Sequence, residues 1–371
     1  LPPFQGGAAG LFSYDLGRTL EMLPDSASDN PAIPDLAIGI YDSVIAYDHV
    51  LQKCWIISHA DDEETANRKQ DYLLGLVEDA QFPEPMDFTQ TIKWRSNFTR
   101  DAYEAIIQKT VSYIHAGDIF QANIAQRFDA DLPDNFEAFA HYLNLRRVNP
   151  APFACYFNIG DVQISSASPE RLLHVQNGVV TSKPIKGTSP VSNNPQHNLA
   201  VMNALQNSVK DRAENTMIVD LLRNDLSKTC MADSIAVREL CALESFASVH
   251  HLVSTIEGRL RADKTAIDAL RGCFPGGSIT GAPKIRAQEI IEEVEPTRRG
   301  AYCGSIGYIG FDGGMDTNIL IRTLTFETDN NGGHVSLQSG GGITAASDPA
   351  AEYQETLDKA AAMLKSFCKC G

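Results

Sequence analysis

The 371-residue sequence predicts an α+β fold made mainly of antiparallel sheet. Two observations lead there. Short apolar runs follow one another through tight turns, as at Asn177-Gly178 between runs 171–176 and 178–183, and at Asp312-Gly313-Gly314 between runs 302–311 and 315–327. Helical patterns lie between groups of strands instead of alternating with them singly, so a doubly wound parallel sheet is not expected.

Taken in order, residues 1–60 read as strands and turns, with the apolar run Ile38–Tyr47 pairing with Leu51–Ile57 across a turn at His49. Asp61–Val77 is a charged helix, and Gln81-Phe-Pro83-Glu-Pro85 a linker. Thr99–His115 is amphipathic, with Tyr103, Ile106, Ile107, Thr110, Val111 and Ile114 on one face and Gly117 to stop it. On the strand Phe120–Phe128, Phe120, Ala122, Ile124 and Phe128 share a core face. Gln121, Asn123, Ala125 and Arg127 share the other, which can line a polar cavity. Strands at 153–159, 162–167, 171–176 and 178–183 precede helices over 196–225. Strands at 234–242 and 248–260 follow, then helices near 264–272 and from Pro283. The two long strands, a strand His334–Gln338 and a helix Pro349–Phe367 complete the chain.

A net charge of −16 excludes a general binder of nucleic acid or anionic membrane, since either needs a basic face. No apolar run approaches the roughly 20 residues of a membrane span. The start, Leu1-Pro2-Pro3-Phe4, lacks the basic region of a secretory leader, and the sequence is expected to begin partway into a longer gene product. The eight cysteines, including Cys368 and Cys370 near the end, show no Cys-x-x-Cys or zinc-finger spacing. Reduced thiols in a cytoplasmic protein are expected.

Several clusters carry chemistry. Pro184-Ile-Lys186-Gly187-Thr188 places a lysine on a short turn at a strand end; Pro184 has no N–H for the ladder and Gly187 lets the chain turn. A lysine there is ordinarily a solvated charge. Asp211-Arg-Ala-Glu214 and Glu352-Tyr-Gln-Glu355 each put two carboxylates on one helix face, and two such pairs brought together would suit Mg²⁺. The apolar run Met217–Leu222 implies that the first of these helices is mostly buried, where carboxylates need partners. Gly340-Gly341-Gly342 can offer backbone N–H groups to an anion, and Arg322 would be an odd charge within an apolar strand unless it met one. Lys359 lies one turn beyond Glu355. Glu170, in Ser168-Pro-Glu170-Arg171, precedes a strand, and His250 and His251 take opposite faces of theirs. Gly276–Lys284 fails as a phosphate loop because Ala282-Pro283 stands where Lys-Ser/Thr belongs, which leaves a Mg²⁺ phosphotransferase with little support.

Together these motifs resemble the chorismate-binding family, which includes anthranilate, isochorismate, salicylate and aminodeoxychorismate synthases. The resemblance covers residues 95–368 through Phe120-Gln-Ala-Asn, Ser168-Pro-Glu-Arg, Pro184-Ile-Lys-Gly-Thr, Ala213–Asp225, His251-Leu-Val-Ser, Thr280-Gly-Ala-Pro-Lys and Ile306-Gly-Tyr-Ile-Gly. It implies two largely antiparallel sheets packed as a sandwich with helices outside. Residues 1–90 would be a truncated remnant of the family's N-terminal region, packed as one unit with a catalytic region at 91–371.

Two positions separate branches of the family. Gln121 stands where isochorismate and salicylate synthases carry a lysine base, and Lys186 where anthranilate synthases have alanine. Lys186 therefore resembles the branch that makes 4-amino-4-deoxychorismate for para-aminobenzoate and folate. The resemblance implies that Lys186, with a lowered pKa, attacks C2 of chorismate while a protonated Glu170 assists loss of the C4 hydroxyl. Glu214 and Glu355 would bind Mg²⁺ directly, and Asp211 and Glu352 directly or through water. Arg322 and Tyr308 would hold the enolpyruvyl carboxylate, helped by the Gly341 and Gly342 amides. Lys359 would support the ring carboxylate, and His251 and Thr280 would line the ring pocket. No Cys-centred amidotransferase motif occurs, so a separate glutamine amidotransferase subunit is implied as the ammonia source. The rivals are an anthranilate-forming component I and a folded, non-catalytic subunit.

Overall fold

The computed structural model describes residues 1–28, 33–81, 92–134, 136–192, 194–246, 249–329 and 332–367. In chain order the elements are β1 (Gly7–Phe12), β2 (Leu36–Tyr41), β3 (Ser43–Asp48), β4 (Lys53–Ser58), α1 (Glu63–Glu78), β5 (Arg95–Ser96) and α2 (Arg100–Ala116). Next come β6 (Gln121–Leu132), α3 (Ala138–Val148), β7 (Phe153–Asn158), β8 (Val162–Ser168), β9 (Arg171–Gln176), β10 (Val179–Lys183) and β11 (Ile185–Pro190). Then follow α4 (Pro195–Gln206), α5 (Val209–Ser227), β12 (Ala236–Ser245), β13 (Val249–Arg259), α6 (Ala266–Cys273), β14 (Gly281–Ala282) and α7 (Lys284–Val294). The chain ends through β15 (Ser305–Gly310), β16 (Met315–Asn318), β17 (Thr323–Asp329), β18 (Gly332–Ile343) and α8 (Pro349–Lys365).

Two antiparallel sheets dominate. One has the order β11-β13-β10-β9-β16-β15-β1-β2, with β12 also on β13; the other runs β14-β6-β18-β17-β8-β7, with β5 also on β6. A small cluster of Leu11, Ile164, Ala301 and Leu320 draws residues from both sheets. The larger clusters lie under helices. Ile218, Val219, Leu222 and Leu226 of α5 cover the first sheet with Leu270 of α6, and Met363 of α8 with Leu145 of α3 covers Phe128, Phe326 and Leu337 of the second. This is the expected sandwich with helices outside.

The helices begin and end where local chemistry requires. The Thr99 hydroxyl accepts from the Ala102 N–H at 3.3 Å, and Gly117 stops α2 in the left-handed region at φ 86°. Ser208 breaks the helical stretch predicted over 196–225 into α4 and α5 by capping the second through the Asp211 N–H. Helix α1 buries none of its residues, as its charged sequence predicts.

Four expectations need correction. The run Ile38–Tyr47 is two strands: Asp42 bends the chain, so β2 joins the first sheet while β3 pairs with β4. Phe120 is 71% exposed and precedes β6, whose residues Gln121 to Phe128 are buried on both faces. The strand predicted over 315–327 is broken at Ile319–Arg322, where the chain leaves β16 in one sheet and enters β17 in the other. Pro184 does not end the ladder. The pairing with β13 runs on in one register from β10 to Ile185, with the Pro184 carbonyl accepting from the Ser254 N–H at 3.3 Å, and Lys186 sits where the β11–β13 register shifts between Ile185 and Thr188. Apart from Gln81, the expected linker lies outside the described residues, as do Cys368 and Cys370.

Behind these elements lies a buried ion pair. Arg299 donates to Glu295 at 2.7 Å, to the Ile279 carbonyl at 3.0 Å and to the Asn123 carbonyl at 2.6 Å, while Glu295 accepts from the Ala125 N–H at 2.9 Å. Arg299→Met should leave Glu295 buried without its counter-charge and cost about 3–5 kcal/mol of unfolding free energy. Urea denaturation checks this, and a loss below about 1 kcal/mol would mean that the pair holds nothing together.

Candidate active site

A cavity of about 440 Å³ opens between the sheets, lined by Lys186 and His251 of the first, Asn123 and Gly342 of the second, and carboxylates from α5 and α8. Its floor is glycine for a steric reason. A β-carbon on Gly342 would stand 2.3 Å from Gln121 Nε2 and 2.7 Å from Glu214 Oε1. Gly341, expected at the site, does not line the cavity, which takes Gly340 instead, and a β-carbon on it would stand 3.0 Å from Glu352 Oε2. Bare backbone lets both helices bring their acids against β18.

Those acids are Asp211, Glu214, Glu352 and Glu355, the four singled out in the sequence, and all line the cavity. Lys186 Nζ lies 2.9 Å from Glu214 Oε1, and Lys359 Nζ 2.7 Å from Glu355 Oε1. Gln121 donates to Glu214 at 2.8 Å from just behind the wall. Burial alone would raise the Glu214 carboxyl, but the Lys186 ammonium and the Gln121 amide outweigh it and hold it below the usual carboxylate range. Burial pushes Glu352 up, against a hydrogen bond from Ser347 and with help from the charge of Glu355. Among the described residues no three acids or imidazoles are gathered as a ready-made cation site. The donor set nonetheless fits a hard divalent cation: four carboxylates converge on one cavity around glycine backbone, two of them now neutralised by lysines.

Glu170 sits between β8 and β9 and is 4% exposed. It accepts from the Ser278 hydroxyl at 2.8 Å. Burial raises its pKa, opposed by Ser278 and by the Lys186 charge. A carboxyl so placed suits proton donation. His251 shares its Nδ1 with the Thr188 hydroxyl at 2.8 Å, and burial together with the Arg322 charge lowers its pKa to about 4. It is a neutral imidazole in this cavity. His250 turns away, to Ser245 and Asn198.

Arg322 is on the link between the sheets, not in a strand, and its φ of 52° is left-handed. Its guanidinium lines the cavity, and among the described residues it makes no ion pair. A cation so placed is set to receive an anion. Tyr308 does not join it. That ring packs on Phe4, with centroids 4.7 Å apart, on a strand facing Asp316, and it does not line the cavity. Tyr302, six positions earlier, does line it. The strand begins at Ser305, so Tyr302 leaves the alternation that a strand over 302–311 would impose. Thr280 is buried behind the wall, its hydroxyl donating to the Gly276 carbonyl at 2.9 Å. Sequence reasoning passed over Ser278 and Lys210, whereas Asn123 lines the cavity as its polar face predicts. Ser278 lay in the segment tested only as a phosphate loop.

The chorismate binding enzyme family matches residues 2–365. Over 368 residues the chain is 47% identical to aminodeoxychorismate synthase component 1 of Escherichia coli, covering 99% of this chain and 78% of that protein. It is 38% identical over 384 residues to anthranilate synthase component 1 of Bacillus subtilis, covering 98% and 73%. The crystal structure of anthranilate synthase component I from Streptococcus pneumoniae superimposes with a TM-score of 0.88 at 34% identity, covering 98% of this chain and 81% of that one.

The neutral His251 sets a pH dependence. Its folded pKa of about 4 lies below the ordinary 6.5, so as pH falls between those values the unfolded chain binds a proton that the folded chain refuses. This contribution to stability should therefore be lost on acidification through that window. Imidazole NMR should show His251 titrating near 4, and a midpoint at the ordinary value would contradict the burial argument.

Proposed function

From the premise that this chain belongs to the chorismate-binding enzymes, we propose how its cavity works on chorismate. The chain is an enzyme that converts chorismate and ammonia to 4-amino-4-deoxychorismate, on the para-aminobenzoate route. The observation that carries this reading within the site is a lysine, Lys186, projecting into a cavity that also holds a protonatable buried acid, Glu170.

Hydroxide is a poor leaving group, so direct displacement of the C4 hydroxyl by ammonia is slow. Attack of the Lys186 amine on C2 shifts both conjugated ring double bonds toward C4 and breaks the C4–O bond, so that the oxygen leaves as water with a proton from Glu170. Ammonia then adds at C4, both ring double bonds shift back, the C2–N bond breaks and Lys186 departs. The sum is chorismate plus ammonia giving aminodeoxychorismate plus water. The resting contact of Lys186 is with the Glu214 carboxylate at 2.9 Å. An ammonium has no lone pair, so Lys186 must part from Glu214 and shed a proton before it attacks. Arg322, supported by Tyr302, receives the enolpyruvyl carboxylate. His251 serves the ring as a neutral hydrogen-bonding group, and Gln121 orients Glu214.

A divalent cation such as Mg²⁺, held by Asp211, Glu214, Glu352 and Glu355, would neutralise and polarise the ring carboxylate. The relatives' designation as component 1 implies a second component. We assign that role to a separate glutamine amidotransferase subunit delivering ammonia, with the complex working in the cytoplasm. No helix among the described residues is long and apolar enough to cross a membrane.

Purified protein given chorismate, Mg²⁺ and ammonium salt should yield aminodeoxychorismate by mass-resolved chromatography, turned into para-aminobenzoate only when the lyase is added. Anthranilate, or chorismate bound without turnover, would overturn the reading. Lys186→Ala should lose most product formation; near-normal single-turnover rates with ammonia would remove the covalent role. The proton on Glu170 is retained to higher pH than an ordinary carboxyl keeps it, then lost as pH rises through the raised pKa. Activity should fall on that alkaline limb, and Glu170→Gln should lower the rate by about 10²–10⁴-fold while abolishing the limb.

A further inference from the structure

We propose that Asn123 is a substrate-binding residue whose side-chain amide donates a hydrogen bond to a carboxylate oxygen of chorismate, on the wall it shares with Tyr302 and Arg322. This rests on the cavity being the chorismate site.

The fold does not require an asparagine at this position. Asn123 lies within β6, opposite Gly342 of β18. Its N–H donates to the Thr280 carbonyl at 2.7 Å, and its carbonyl accepts from Arg299 at 2.6 Å. Backbone alone therefore fixes the residue, and a valine or leucine would serve a β-strand better. The side chain is nevertheless an amide, 7% exposed, and its residue lines the cavity.

That amide nitrogen has no hydrogen-bond partner among the described residues. Buried donors are nearly always paired, so an orphan at a cavity wall marks where an acceptor arrives from outside the chain. The neighbours indicate which acceptor. The Asn123 side chain comes up to the Tyr302 hydroxyl without its nitrogen completing a hydrogen bond. Arg322 lines the same cavity with no ion pair of its own. Burial keeps the Tyr302 phenol protonated well above its ordinary range, so it too is a donor. Three donors on one wall, none matched by a protein anion, call for a ligand carboxylate. Chorismate brings two.

The test separates KM from kcat in ammonia-dependent turnover, using Asn123→Leu, which keeps the size and removes the donor, and Asn123→Asp, which keeps the shape and turns a carboxylate on the substrate. A hydrogen bond to a charged group predicts that Asn123→Leu raises KM for chorismate by about 10- to 100-fold, with kcat and KM for ammonia within about twofold. Asn123→Asp should raise it further, and a purely structural role would move none of these selectively. Thermal melts of both variants establish that they fold; if the leucine variant does not, Asn123→Ser takes its place. Folded variants with KM for chorismate within about twofold of the parent would overturn the proposal while leaving the function intact. Failure of the parent protein to bind or convert chorismate would overturn the function itself, and this assignment with it.

Discussion

The constraint on which the molecule depends is the burial of one guanidinium. Arg299 is 3% exposed between the sheets, where an ion survives only if every donor is met. Its donors reach Glu295, Ile279 and Asn123, and its plane lies under the Tyr14 ring at 4.8 Å and the Tyr302 ring at 5.6 Å. Glu295 in turn holds the Ala125 N–H of β6, and Gln338 of β18 donates to the Arg299 carbonyl at 3.2 Å. Asn123, Ile279, Tyr302 and Gln338 all line the cavity. The cost of burying the charge is thus what fixes the wall. A loosely satisfied arginine would be expelled to water, and the four segments would lose their common reference.

The opposite side of the cavity is governed by charge balance. Four carboxylates and three lysines crowd around the glycine backbone, and two of the lysines, Lys186 and Lys359, stand on a carboxylate. Glu170 is kept apart, where burial outweighs the Ser278 hydroxyl and the Lys186 charge and raises its pKa. The same kind of side chain therefore does two jobs, ionised on one side and protonated on the other, because its neighbours differ.

Much of this was legible in the chain. The succession of short apolar runs through tight turns gives the antiparallel sheets directly, and the i, i+3 spacing of the acids survives folding because a helix preserves it. Lys186 and Glu170 meet as their motifs imply. What failed did so where local periodicity gives way to long-range geometry. Arg322 reads as mid-strand because apolar residues flank it on both sides, Ile319–Ile321 before and Leu324 and Phe326 after, yet the sheets exchange the chain there, as its φ of 52° reflects. Tyr302 and Tyr308 are six residues apart and chemically identical; the start of a strand between them decides which one reaches the cavity. The β11 bulge at Lys186 and the exposed Phe120 likewise depend on partners that no local pattern names.

The glycine floor bears on inhibitor resistance. A compound seated on the Gly340–Gly342 backbone would press on atoms that substitution cannot reshape. Any β-carbon at 342 strikes Gln121 or Glu214 before it could reach the compound, and one at 341 crowds Glu352. Escape variants would have to arise elsewhere around the rim, at positions such as Ile321 or Lys210, where a side chain already faces the cavity and can be exchanged.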